Sequence, residues 1–333
     1  MASCFLYKRR EFIALLGGAA AAWPLTARAQ QRAFPVIGLL SSRSPDIDTP
    51  LISVIRQALN EKGLVEGQNV ALDYRWAEGQ YDRLAKLAAE LVRQQVGVIV
   101  TMGGEPAALA AKAATTTIPI VFVGGSDPIR VGLVTNVHRP GGNITGVSML
   151  INEMEPKRLE LLGELRPQAT TIAVLVNTNN PNSELHLNDI QTAARNVARE
   201  ISILNASTIR DIDAAFATLT QIRTEALFVM ADPFFFTRAA QLVVLAARHA
   251  VPTLYFRREF ATAGGLVSYG VNSNEAYRVL GTYAARILKG EKPGDLPIQL
   301  PTKFELVINL STARALGFEM PQALLARADE VIE

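Results

Sequence analysis

Cysteine is almost missing from this 333-residue chain, and the single one, Cys4, sits next to its start. From residue 30 onward there is no thiol, which excludes disulfide staples, thiolate nucleophiles and cysteine-ligated metal from that part. Histidine is nearly as scarce, at three residues. His138, His186 and His249 fall on a turn and on helix segments without metal-ligand spacing, so each reads as structural or superficial. A surplus of one charge is missing too: the formal net charge is +2, with no Lys/Arg run beyond the first residues. General attraction for nucleic acid is therefore not expected. There is no G-x-S-x-G elbow and no G-x-x-x-x-G-K-[ST] phosphate loop. Neither Val36–Ser44 nor Ile172–Asn180 carries G-x-G-x-x-G after its apolar run, which argues against a nicotinamide dehydrogenase. No cofactor, no metal and no enzyme activity are expected.

The positive charge that does cluster lies in the leader. Lys8-Arg9-Arg10 precedes an apolar stretch, Ile13–Trp23, which is too short for the ~20 residues that span a bilayer. Ala27-Arg28-Ala29 is an A-x-A cleavage site, and the adjacent arginines before Glu11-Phe12 resemble a twin-arginine export signal. Removing residues 1–29 takes away Lys8, Arg9, Arg10, Arg28 and Glu11, leaving 29 basic against 30 acidic residues. Cys4 precedes the apolar stretch, so it is not placed to carry a lipid anchor. The expected product is soluble, begins at Gln30 and is periplasmic.

What the remainder does contain is one phrase repeated. Ala226–Pro233 reads A-L-F-V-M-A-D-P, an apolar run of strand length that breaks into an acid and a proline. Val36–Pro45, Val98–Pro106, Ile118–Pro128 and Ile172–Pro181 have the same grammar. Such Val/Ile-rich runs suit strands buried on both faces of a parallel sheet, and a polar residue before proline suits a helix N-cap followed by N1. Helix-length segments between the runs imply right-handed βαβ crossovers. Matching strands recur at about 130 residues, and T-I-P-I-V-F in one half answers A-V-P-T-L-Y-F in the other, which points to internal duplication. The fold class is therefore α/β: two similar doubly wound parallel-sheet lobes joined by a hinge. The expected division is 34–148 for the first lobe, 149–270 for the second and 271–333 for a segment returning across the hinge to the first. Crossings are expected near Val147–Asn152 and Gly270–Asn274, and strands at Leu296–Leu300 and Phe304–Leu310. In open α/β sheets ligands bind at the strands' carboxyl ends, which is where these polar loops lie. Asp127, Asn180 and Asp232, each before proline, suit either plain helix capping or ligand contact. Phe234-Phe235-Phe236, Tyr255-Phe256, Tyr269 and Trp76 flank the strands and are divided between core packing and the cleft.

Several longer strings fall in one order along the chain. After R-R-E-F-I-A-L-L-G-G-A-A-A-A-W-P-L come G-L-V-E-G-Q-N-V-A-L-D-Y-R-W-A-E-G-Q-Y-D-R-L, P-I-V-F-V-G-G-S-D-P, R-P-G-G-N-I-T-G-V and A-D-P-F-F-F, and the chain closes with G-E-K-P-G-D-L-P-I-Q-L-P-T-K-F-E-L-V-I-N-L. Together they resemble the ABC-transporter substrate-binding proteins related to tryptophan/tyrosine-binding proteins, which have the type I periplasmic-binding-protein fold. The resemblance implies an extracytoplasmic receptor, monomeric, that closes on a small solute and delivers it to a membrane permease. By position it implies first-lobe contacts from Ser41, Ser42, Gly103, Gly104, Gly125 and Ser126, and second-lobe contacts from Asn177, Asp232 and Tyr255. For an amino-acid-like solute the serines and loop N–H groups would take the carboxylate and Asp232 the ammonium. A periplasmic sensor for a membrane kinase would share the same fold, as would an enzyme built on the scaffold.

Overall fold

The computed structural model describes residues 34–222 and 224–333. The leader read over residues 1–29, with its cleavage after Ala29, lies outside the described residues. The apolar runs become strands because each is Val, Ile or Leu at nearly every position and is covered by helices on both faces. The first lobe runs β1 (Val36–Ser41), α1 (Pro45–Glu61), β2 (Ala71–Trp76), α2 (Leu84–Arg93), β3 (Val98–Met102), α3 (Glu105–Ala114), β4 (Ile120–Gly124) and β5 (Ile144–Ser148). Its strands are all parallel, in the order β2-β1-β3-β4-β5.

The second lobe runs α4 (Glu155–Leu165), β6 (Thr171–Val176), α5 (Ser183–Asn196), β7 (Glu200–Asn205), α6 (Ile209–Ile222), β8 (Ala226–Val229), α7 (Pro233–Thr237), α8 (Ala239–Arg248), β9 (Thr253–Tyr255), α9 (Arg258–Thr262) and β10 (Val267–Gly270). Its parallel strands lie in the order β7-β6-β8-β9-β10, the same winding as in the first lobe. Each order reverses direction beside its first strand, which leaves a crevice at the carboxyl ends of the strands. Asp232-Pro233 starts α7 with an Asp cap and a proline at its first turn, and the helix breaks at Arg238 before α8.

The end of the chain corrects one expectation. Residues 271–333 do not all return to the first lobe. Helix α10 (Ser273–Leu288) does, packing along α1. The approach is tight: a Cβ on Gly281 would stand 2.6 Å from the Ile55 carbonyl oxygen and 2.8 Å from the Ala58 Cβ. Leu296–Leu300 is not a strand; it forms a single parallel bridge, Gln299 to Val147, beside β5. The chain then crosses a third time, and β11 (Glu305–Asn309) pairs antiparallel with β10. Two short helices, α11 (Leu310–Ala315) and α12 (Gln322–Leu325), lead to β12 (Glu330–Ile332), parallel to β11 at the edge of the second sheet. β11 is a short continuous apolar run, Leu306-Val307-Ile308, with a polar residue at each end, so pairing within either sheet would satisfy its pattern. Among the described residues no helix is long and apolar enough to cross a membrane.

Candidate functional site

The carboxyl ends of the two sheets face each other, and the loops that leave them enclose a cavity of about 50 Å³. From the first lobe come Arg43 after β1, Gly103-Gly104-Glu105 after β3 and Gly125 after β4. From the second come Asn180, Asp232, Phe236 and Arg257. Asn152, in the first crossing, and Tyr277, on α10, complete the wall. A larger cavity, about 470 Å³, adjoins it at Met149 and is lined by parts of all three crossings, including Val147–Met149, Val271 and Gln299.

Asp232 is the most densely bonded group at the cleft. Its Oδ1 accepts the Phe234 N–H at 2.8 Å, the expected cap, and the Asn177 amide at 2.9 Å. Oδ2 accepts the Asn180 amide at 2.6 Å. Across the cleft, the Tyr81 hydroxyl donates to Oδ1 at 3.1 Å and accepts from Phe234 N at 3.2 Å. Capping and cleft contact therefore coexist in one carboxylate. Burial pushes the Asp232 pKa up, against the hydrogen bonds from Asn177 and Asn180. Burial and the neighbouring Asp232 hold the Tyr81 phenol well above its usual value.

Further clasps close the same edge. Arg130, beyond β4, pairs with Asp189 on α5, the Nη2–Oδ1 distance being 2.8 Å. Ser126 Oγ lies 2.9 Å from His186 Nε2 and also accepts from Asn152 Nδ2 at 2.8 Å. Burial, with help from Arg130, lowers the His186 pKa to about 4; Asp189 pulls the other way and Arg158 adds to the lowering. A histidine held neutral beside Ser126 supports this contact between the lobes fully above its ordinary value of 6.5, and that support fades as pH falls from 6.5 towards 4. Glu155, lifted to about 7 by burial and bonded to Arg158 and Ala231 within the second lobe, titrates with the opposite sense. Solute affinity is thus the better readout than total stability. Affinity is expected to fall as the pH drops from 6.5 towards 4, and His186→Gln should flatten that dependence in calorimetric titrations. A variant with the wild-type slope would remove His186 from the clasp.

The positions named from sequence divide sharply. Gly103, Gly104, Gly125 and Asp232 line the cavity. Ser41, Ser42, Ser126 and Asn177 do not, because their polar atoms are spent on the protein. Ser41 Oγ accepts the Arg43 N–H, and Ser42 donates to the Gly103 carbonyl at 2.6 Å. Tyr255 is corrected outright: it is fully buried in the second lobe, stacked on Phe260 at 4.6 Å. Its place on the wall is taken by Phe256 and Arg257, the next residues along. Of the three consecutive phenylalanines only Phe236 lines the cavity, while Trp76 stacks on Tyr74, Tyr269 on Phe304.

Three charged wall residues escaped sequence reasoning. Arg43 is buried, its Nε 2.8 Å from Asp48 Oδ1 and its Nη2 2.7 Å from the Tyr277 hydroxyl. Burial works to lower its pKa, but Tyr277 and Asp48 outweigh burial and hold the guanidinium charged. Arg257 is buried as well, bonded to Glu259 and Ser273 and lying 4.3 Å from the Phe236 ring centroid. Glu105 accepts the N–H groups of Gly125 and Ser126 on one oxygen, and burial raises its pKa against those bonds. Each sits within the loop signature already noted, at R-S-P, G-G-E-P and Y-F-R. The signal was present in the position, though not in the residue type. Among the described residues no three His, Cys, Asp or Glu side chains gather as metal ligands.

Two winding-matched lobes with a shared polar cavity at their facing strand ends can be set beside known proteins. A family model described as ABC transporter substrate binding protein matches residues 47–332. The chain belongs to that family of substrate-binding proteins. A relative, the tyrosine-binding protein of Clostridioides difficile (strain R20291), is 27% identical over 275 residues, covering 83% of this chain and 78% of the relative. Among solved structures, an ABC domain in complex with L-Trp from Streptococcus pneumonia shares 25% identity at a TM-score of 0.79, covering 90% of this chain and all of the other. A conserved domain protein from Vibrio cholerae aligns over the same shares with 25% identity and a TM-score of 0.81. The ligand-free, open structure of a substrate binding protein with adhesive properties from Clostridium difficile gives a TM-score of 0.62 at 24% identity, covering 90% of this chain and 99% of the other. As an ABC substrate-binding protein, the chain has the type I periplasmic-binding-protein fold expected from its repeats.

Proposed function

We propose that this ABC substrate-binding protein is the extracytoplasmic receptor of an importer, closing on one small amino-acid-like solute and presenting it to a permease in the cytoplasmic membrane. The observation that carries the reading is the cavity between the strand ends, walled by both lobes and lined by buried groups of both charges: Arg43 and Glu105 on one side, Asp232 and Arg257 on the other. A solute that touches both walls binds the closed form and not the open one, which is the differential contact a hinged receptor needs. Tyr81–Asp232, Ser126–His186 and Arg130–Asp189 would then latch the closed form around it.

The relatives support the choice of ligand class, since one is named for tyrosine and another was solved with L-Trp. The higher TM-score against the L-Trp complex than against the open, ligand-free relative fits a closed arrangement. The leader would export the chain, and cleavage after Ala29 would release it to the periplasm as a monomer. Gly103, Gly104, Gly125 and Asp232 remain our proposed solute contacts from the sequence, with Ser41, Ser42, Ser126 and Asn177 acting as the row that positions them. Thermal-shift and calorimetric titration of the protein beginning at Gln30, against the twenty protein amino acids, tests the reading. A saturable binder in the micromolar range is expected. No stabilisation by any of them would reject the amino-acid assignment.

A further inference from the structure

We infer that the solute is a small α-amino acid, its carboxylate gripped by Arg43 from one lobe and Arg257 from the other, its ammonium held at Glu105 and Asn152. The inference rests on the receptor reading above and names the solute class of that site.

The carboxylate end follows from the arginines. Each is 3% exposed, so each guanidinium is built into the wall and is not a surface charge turned inward. Each is anchored from behind by an acid on its own element: Asp48 holds Arg43 and Glu259 holds Arg257. In both, the hydrogen bonds engage Nε and Nη2, and Nη1 has no partner among the described residues. Both lie against Phe236, at 5.6 and 4.3 Å from its ring centroid. Two forks that share one ring offer donors from both lobes to one planar anion, and guanidinium–carboxylate pairs are the strong, oriented kind. An anion taken between them joins the lobes directly.

The ammonium end follows from the acceptors beside the Gly125–Ser126 turn. Glu105 uses Oε1 for the Gly125 and Ser126 N–H groups, and Oε2 accepts nothing among the described residues. Asn152 gives its Nδ2 to Ser126, and its buried Oδ1 has no partner among the described residues. Both acceptors lie against the one turn, Gly125–Ser126, and buried acceptors left open are costly unless something donates to them. Asp232 is the poorer ammonium partner, since it already accepts four donors.

Size sets the side chain. The cavity is about 50 Å³, against roughly 300–1,000 Å³ for pockets that enclose a drug-sized ligand. Phe236 and Phe256 stand on its wall, and moving Phe236 to widen it would take away the ring on which Arg257 rests.

The test is calorimetric titration of the protein from Gln30 onward with L-alanine, L-serine, L-alaninamide, propionate and L-tryptophan. L-Alanine or L-serine should bind. L-Alaninamide, which lacks the carboxylate, propionate, which lacks the ammonium, and L-tryptophan should each bind at least about tenfold more weakly. Arg257→Lys should weaken the amino acid by about tenfold while leaving L-alaninamide unchanged, a pattern that a folding defect does not produce. L-Alaninamide binding as tightly as L-alanine, or L-tryptophan binding more tightly, overturns the inference. If a solute of another class binds and closes the lobes with Arg257→Lys indifferent, this inference falls and the receptor reading stands. Failure of every small molecule to bind overturns the receptor reading itself.

Discussion

Asp232→Ala is expected to produce the largest loss of any single substitution at the cleft, in stability and affinity together. The change strands the buried Asn177 amide and the half-buried Asn180 amide, and uncaps Phe234 N at the start of α7. An uncapped helix costs about 1 kcal/mol and each stranded buried donor a further ~1–3 kcal/mol. Urea unfolding should therefore show a loss of about 3 kcal/mol or more. The same change cuts the Tyr81 bond across the cleft, so solute affinity should fall at least about tenfold, even for a solute that never touches the carboxylate. Tyr81→Phe separates the two effects. It keeps the second lobe's own bonds and removes only the latch, so affinity should drop several-fold while the unfolding midpoint of the solute-free protein barely moves. Equal losses of stability in both variants would show that Tyr81 supports the lobe and not its closure.

Gly104→Ala should impair closure by a different route, through shape. Gly104 has φ +86° and ψ −167°, a backbone region reserved for glycine, where other residues cost about 1–3 kcal/mol. A Cβ there would also stand 3.1 Å from Pro233 Cγ, on the opposite lobe. The strain is felt open or closed; the contact with Pro233 is felt only when the lobes meet. We expect stability to fall by about 1–3 kcal/mol and solute affinity to fall by a further tenfold or so, with Gly104→Val worse on both. An alanine variant that loses stability and binds normally would mean that the two loops stay farther apart in the bound form.

The architecture was legible because its carriers are local. Val98–Met102 is apolar but for Thr101 and Ala226–Val229 is apolar throughout, and runs of that length closed by turn residues suit buried strands. Proline after Ser44, Glu105, Asp232 and Glu155 marks helix starts in the same places as the structure. The last 30 residues were less legible, because β11 fits the edge of either sheet and its choice depends on where α10 leaves the chain. The site was half legible for a related reason. Strand-end position predicted which loops meet, and Gly103, Gly104, Gly125 and Asp232 follow from that. Whether a side chain on such a loop points into the cleft or back into the protein depends on partners far away in sequence. Ser42 turns to Gly103, and Arg43 reaches Tyr277, more than two hundred residues on. Small hydroxyls expected as ligand groups are scaffolding, while Arg43 and Arg257, which carry no sequence signal of their own, are wall.

The central claim, that the two lobes close on a solute, is tested most directly by the distance between them. Residues 30–333 contain no cysteine, so Lys86→Cys on α2 and Glu184→Cys on α5, both exposed, give a clean pair of spin labels, one on each lobe. Double electron–electron resonance should show a broad, longer distance distribution without solute and a narrow, shorter one at saturating solute. Identical distributions in the presence of a solute that calorimetry shows to be bound would contradict closure and, with it, the receptor mechanism argued from this cleft.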